Sequence, residues 1–410
     1  NKLKINEDWQ LIFRNFFSLS FLNILNLITP LITYPYLIRI LGSGEYGRII
    51  FYQSILAFFI IFISFGFQII STQNISKFKD DKNQLYKIVT STYIIKLFFT
   101  IISFSIIIIY FLIAETKDSD LSLILLLSSA LVYELFFPIW YFQGIEKMNF
   151  VSYFNGIPKL IQVGLIFVFI VSENDILIYA FLLAITNIMT VILSLIKVFY
   201  IDKIQLVKLT FKEVYDYYKQ SLPIFHTTVF VTINTQVSKT IIGLSLGMSQ
   251  LALYDLSEKV VNILKTPFAT FGQALFPKSA RESFKELKKP IIIMILISII
   301  SIIFINLFSD KIVLFLGGYE MLEASLYLKI MSIAILGAVI STSFSIHVLI
   351  PNGNGKDVSL IYFFTSLFYC FTLLILYGID QLTILNFSII FVVLELVSGL
   401  LSFIYSMKRK

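Results

Sequence analysis

The chain has 410 residues, of which 58% are hydrophobic and only 14% charged, and its formal net charge is +7. Soluble domains carry roughly 25% charged residues, so this composition, with a mean hydropathy of +0.88, argues against a soluble enzyme and for a polytopic membrane protein. The apolar runs are continuous rather than alternating, which favours helices over a β-barrel, and the single cysteine, Cys370, leaves no intramolecular disulfide and no local redox or metal motif.

Apolar runs of about 20 residues, each long enough to cross a ~30 Å hydrocarbon core, predict twelve spans. The first six lie near 11–34, 49–70, 88–113, 121–140, 150–171 and 176–199. The second six lie near 221–246, 251–277, 290–308, 327–350, 358–378 and 382–406. The polar N-terminus and the length of the first run do not match a cleavable signal peptide. The longest polar connection, 200–220, stands midway. It predicts an N-terminal lobe over 1–200, a cytoplasmic linker over 201–220 and a C-terminal lobe over 221–410. Each half opens alike, with Leu41-Gly42 closing span one and Leu246-Gly247 closing span seven. Two such repeats imply a pseudo-two-fold along the membrane normal and a site between the halves.

Lysine and arginine orient the spans. The N-terminus and every second loop carry 22 of them, including Lys79, Lys82, Lys147, Lys203, Lys212 and Lys356. The alternate loops carry 5: Arg39, Arg48, Lys117, Lys311 and Lys329. Both termini are therefore expected in the cytoplasm, and the positive charge reads as topology rather than as a nucleic-acid footprint. Short outer loops leave no room for an extramembrane catalytic domain.

Ionisable residues inside spans are costly, about 2.5–3.5 kcal/mol each at the helix centre, unless water or a partner receives them. Span eight carries Asp255, Glu258, Lys259 and Lys265. With Asn262, Thr266 and Gln273 they fall within an arc of about 120° on a helix, so the helix should line water. Asp255–Lys259 and Glu258–Asn262 stand four apart and can pair locally. A structural ion-pair ladder would use the same residues. Against it, Lys259 and Lys265 lie roughly 13 Å and 22 Å from the outer end of the span at 1.5 Å per residue. Two cations at such depths suit the path of an anion.

Span seven repeats the pattern more weakly with Thr228, Thr232, Thr235, Gln236 and Lys239, and span one with Asn15, Ser18, Asn26 and Thr29. Polar residues of this kind also serve simple interhelical packing. Lys96, Lys159, Glu134 and Glu395 are isolated intramembrane charges. Glu134 can pair with Lys96 or Lys159, or take part in proton coupling. With two histidines and one cysteine, no metal site is expected. No P-loop or dinucleotide-binding glycine pattern is present, so no cofactor is expected either. The Pro351–Gly355 stretch is read as a turn between spans.

Several segments resemble a known family. Pro35-Tyr36-Leu37, Arg39, Leu41-Gly42, Glu45-Tyr46-Gly47 and Phe51-Tyr52-Gln53-Ser54 are similar to the opening of Wzx-type O-antigen flippases. So is Trp140-Tyr141-Phe142-Gln143-Gly144-Ile145-Glu146-Lys147-Met148, between spans four and five. Leu222-Pro223, Tyr254 and Glu258-Lys259-Val260 match more diffusely. The resemblance implies the multidrug/oligosaccharidyl-lipid/polysaccharide (MOP) exporter superfamily: an all-α inner-membrane protein whose two six-helix lobes form a V around a central cavity. It also implies an undecaprenyl-pyrophosphate-linked oligosaccharide repeat unit as substrate, no enzymatic activity, and other polysaccharide-assembly proteins such as the polymerase as partners.

In that superfamily the first two helices of each half line the cavity. By this matching Arg39, Lys239, Lys259 and Lys265 face the pyrophosphate, with Lys96 a further cavity cation. Asn26, Asp255, Glu258, Asn262, Gln273 and Glu134 become cavity polar or ion-coupling groups. The Gln143-Gly144 segment reads equally as a structural turn. A drug or organic-cation exporter of the same superfamily is the first alternative, though it would prefer an acidic cavity. A membrane polymerase is the second, and would need a long outer loop or an acidic catalytic motif.

Overall fold

The computed structural model describes residues 2–113, 118–279 and 284–408. For 2–24, 26, 27, 118, 227, 231, 273, 274, 276–279 and 284–286 it describes the backbone alone. Every regular element among the described residues is helical, as a chain must be that satisfies its own backbone in lipid without closing a barrel. The helices are α1 (Lys2–Ser64), α2 (Phe67–Phe78), α3 (Lys82–Ile113), α4 (Asp118–Leu127), α5 (Ser129–Phe136), α6 (Ile139–Gly144), α7 (Met148–Phe169) and α8 (Ile176–Leu195). There follow α9 (Phe211–Ser245), α10 (Met248–Ser279), α11 (Phe284–Gly317), α12 (Ala324–Ser332), α13 (Ala334–Phe344), α14 (Gly355–Gly378) and α15 (Ile384–Lys408). Short π-helical turns, Ile196–Ile201 and Ser345–Leu349, extend α8 and α13.

All twelve predicted spans fall on helix, but nine segments of the described residues are long and apolar enough to cross a membrane on length and hydropathy. The difference has two physical sources. Spans one and two merge into one apolar stretch, Ile28–Phe78. Spans seven and eight correspond to α9 and α10, of 35 and 32 residues; these are ample in length but too polar to count, because they carry the charged residues singled out above.

The chain forms two compact units. The first comprises Asn1–Leu41 and Tyr52–Val229, the second Gly42–Phe51 and Phe230–Lys410. The short segment Gly42–Phe51 thus belongs with the C-terminal half. A glycine stands at each of the two Leu-Gly breaks. Gly42 interrupts α1 at φ 76°, and Gly247 separates α9 from α10 at φ 99°, a region that side chains on Cβ disfavour.

In the first unit the Trp140–Lys147 motif is a buried turn. Trp140, Tyr141 and Phe142 are buried, and Gly144 lies so close to α2 that a Cβ would meet Ile75 at 2.6 Å. Tyr141 donates to Asp202 at 3.1 Å, and Lys197 pairs with the same carboxylate. In the second unit α13 and α15 interlock through small residues, as membrane helices do when backbones approach closely. A Cβ on Gly337 would meet the Glu395 carbonyl carbon at 2.5 Å, and Ser341–Ser398 and Ser345–Ser402 join their hydroxyls at 2.9 Å.

Candidate functional site

The polar faces of α9 and α10 meet inside the second unit, and their charges join in one network. Lys239 on α9 lies 2.8 Å from both Asp255 Oδ1 and Glu258 Oε2 on α10. Its contact with Glu258 is ionic and off the axis of a hydrogen bond. Lys259, one turn beyond Asp255, reaches Asp255 Oδ2 at 2.6 Å. Tyr46, on the Gly42–Phe51 segment, closes the ring: its hydroxyl donates to Asp255 Oδ2 at 3.1 Å and accepts from Lys259 at 2.9 Å. Asn262 donates to Glu258 Oε1 at 3.4 Å.

The two formal positive charges and two formal negative charges cancel. Burying an ion costs several kcal/mol, and only close pairing with further hydrogen bonds offsets it. That explains why each charge here has more than one partner. Asp255 is fully buried and Glu258 nearly so, whereas Lys259 keeps 22% of its side chain accessible. Of the four charged side chains, Lys259 is the most accessible.

Two turns along α10, Lys265 pairs with Glu395 of α15 at 2.6 Å and lies over the Phe391 ring, 4.4 Å from its centroid. Beside this pair is a cavity of about 110 Å³ whose polar lining includes Asn234, Ser238, Tyr254, Tyr362, Thr365 and Glu395. Asn234 presents a buried side-chain oxygen with no hydrogen-bond partner in the structure. A polar cavity of this kind suits ordered water.

The remaining predicted residues lie elsewhere. Lys96 on α3 and Glu134 on α5 form a separate pair in the first unit at 2.8 Å, with Lys96 also donating to the Glu134 carbonyl at 2.7 Å. Arg39 is an exposed residue of α1, also in the first unit. Asn26 and Gln273 lie on α1 and α10, but their side chains fall outside the described residues. Tyr46 and Glu395 are the members that sequence reasoning did not assign to the site, although Tyr46 stood in the family-like opening segment. Among the described residues no group of three or more His, Cys, Asp or Glu side chains is arranged to hold a metal ion.

A family model described as "Polysaccharide biosynthesis protein" matches residues 12–282, well over half of the chain. The chain belongs to that family. Two curated relatives named "Putative O-antigen transporter" are each 26% identical to it. The one from Escherichia coli (strain K12) aligns over 265 residues, 65% of this chain and 64% of the relative, so the match spans less than two thirds of that relative's length. The one from Shigella dysenteriae aligns over 367 residues, 86% of this chain and 90% of the relative. Among solved structures, an inward-facing multidrug resistance MATE family transporter of the MOP superfamily superposes with a TM-score of 0.68 at 14% identity, over 96% of this chain and 98% of that one. An outward-facing MATE transporter of the same superfamily gives 0.61 at 14%, over 96% and 92%. This member of the polysaccharide biosynthesis family therefore has the all-helical fold of MOP transporters. The names and titles of its relatives are those of transporters, not enzymes.

Proposed function

We propose that the chain is a flippase that carries an undecaprenyl-pyrophosphate-linked oligosaccharide repeat unit from the cytoplasmic to the periplasmic leaflet of the inner membrane by alternating access. The observation that carries the reading, beside the family and the O-antigen names of its relatives, is the network of Lys239, Asp255, Glu258, Lys259 and Tyr46. Asp255 has two ammonium partners. An incoming phosphate can take Lys259, the accessible one, while Asp255 stays paired with Lys239. The carboxylate is never left as a lone buried charge, so the anion enters without the several-kcal/mol penalty of an unpaired ion.

The pyrophosphate would sit at Lys259, the glycan in the aqueous cavity, and the polyprenyl tail in lipid. Moving a head group with about two negative charges outward gains roughly 4–5 kcal/mol per 100 mV of membrane potential. Proton exchange is not required by that arithmetic. The cytoplasmic placement of both termini rests on the lysine and arginine bias. Polysaccharide-assembly enzymes, the polymerase included, would be the functional partners.

The test is surface polysaccharide in cells deleted for this gene and complemented with variants. Lys259→Gln should lose surface polysaccharide and accumulate lipid-linked repeat units on the cytoplasmic side, with the protein still in the membrane. Wild-type surface polysaccharide from Lys259→Gln would sink the assignment of this site. Export of organic cations by the wild-type chain, with polysaccharide unchanged by the deletion, would instead support a drug exporter.

A further inference from the structure

The Trp140–Lys147 motif packs as a turn, yet its last residues leave the core. Ile145 and Lys147 line a cleft of about 360 Å³ in the first unit. Three connections meet there: the α2–α3 turn, the α6–α7 turn, and the segment that leaves the π-helical end of α8. Leu85, Ile145 and Ile204 supply apolar walls, and Lys79, Lys82 and Lys147 bring ammonium groups to it. All three lysines are exposed.

The three lysines of the lining outnumber its two carboxylates, Asp80 and Asp202. Asp202 is already held by Lys197 and Tyr141. Glu146 stands 3.5 Å from Lys79, a loose and exposed contact. Asp80 is the other carboxylate in the lining. Three cations over an apolar floor, at the ends of membrane-crossing helices, match an amphiphile with an anionic head. A free ion would make no use of the floor, and a neutral lipid no use of the lysines.

We propose that this cleft binds the phosphate-bearing headgroup of a membrane lipid, with the lysines on the phosphate and Leu85, Ile145 and Ile204 against the glycerol or first prenyl carbons. The site is separate from the network in the second unit and does not depend on which substrate the protein carries. Glu146 adopts φ 60°, an uncommon conformation for a residue other than glycine. It turns the chain so that Ile145 and Lys147, on either side of it, both reach the cleft.

The test uses the full-length protein, purified and exchanged into phosphatidylcholine with or without phosphatidylglycerol, with bound lipid counted by native mass spectrometry. Wild type should retain phosphatidylglycerol. The triple variant Lys79→Gln/Lys82→Gln/Lys147→Gln should bind it on the order of a hundredfold more weakly. The control triple Lys208→Gln/Lys212→Gln/Lys219→Gln removes the same charge and should retain it. Displacement by farnesyl pyrophosphate would assign the site to a prenyl carrier, and its failure to a bilayer phospholipid; both outcomes keep a lipid phosphate in the cleft. Equal retention by all three proteins, or equal loss in both triples, overturns the proposal. Should the first triple fail to fold, Lys147→Gln against Lys147→Arg replaces it. Arginine should keep the lipid and glutamine lose it, and equal retention by the two overturns the proposal.

Discussion

Lys96 in the first unit gives two hydrogen bonds to one residue, the carboxylate and the carbonyl of Glu134. Lys239 and Lys259 in the second unit share Asp255, and draw in Glu258 and Tyr46 around it. Both arrangements bury charge in helices that should stand in lipid, but they behave differently when a partner leaves. Taking Lys96 away leaves Glu134 without its ammonium. Taking Lys259 away leaves Asp255 with Lys239. A closed pair therefore locks two helices together, and a shared network can exchange one of its members.

The largest effect should come from Asp255→Ala. It strips the common partner from two lysines and should destabilise the protein by about 3–5 kcal/mol, the cost of orphaning a buried charge. Thermal unfolding in detergent reads this, and a loss no greater than for a surface substitution would erase the distinction between a network and a set of independent pairs. The closed pair gives the next test. Lys96→Met alone should cost a similar or slightly smaller amount, while Lys96→Met/Glu134→Leu together should recover most of it, because apolar replacement of a whole buried pair is often neutral or stabilising. Surface polysaccharide should survive the double substitution. If it vanishes from a stable, membrane-inserted protein, the first unit's pair shares in transport and the contrast fails.

The smallest effect belongs to an exposed pair that serves as a reference for both. Glu213, in the first turn of α9, is held down to about 2 from the usual 4.5 by the hydrogen bond from Lys87, then by the backbone amide and hydroxyl of Thr210. Because its folded value is depressed, the contact stabilises the linker fully above about 4.5 and is lost as pH falls through about 2. Protection in 201–210, taken relative to the intrinsic exchange rate at each pH, should fall over that window in wild type, and Glu213→Gln should abolish that fall. Exposed pairs are worth little, so global unfolding should not move.

Some of this was legible in the sequence. The i, i+4 spacing of Asp255 and Lys259 gave their pairing; of the arc on span eight, Asp255 and Glu258 are buried in ion pairs and Asn262 is exposed. The break at each Leu-Gly pair was visible too, since glycine most readily takes the positive φ found at Gly42 and Gly247. Lys239 was found, but not its partners, because helical periodicity says nothing about which face of a second helix lies opposite. Tyr46 meets Lys259 across 213 residues, and Glu395 meets Lys265 across 130. Contacts so distant in the chain leave no local spacing to read. Spans seven and eight show the same limit from the other side: their polar faces were clear, and those faces are why hydropathy alone undercounts the helices.

The ten residues Gly42–Phe51 stand between two stretches of the first unit but fold with the second. The protein therefore has no clean midpoint. A fragment beginning at residue 221 carries Lys239, Asp255 and Lys259 but not the tyrosine that completes them. A gene cut in the linker would yield a C-terminal piece that borrows part of its interior from the other product. Any scheme for shuffling or separately expressing the two halves must move those ten residues with the distant half they serve.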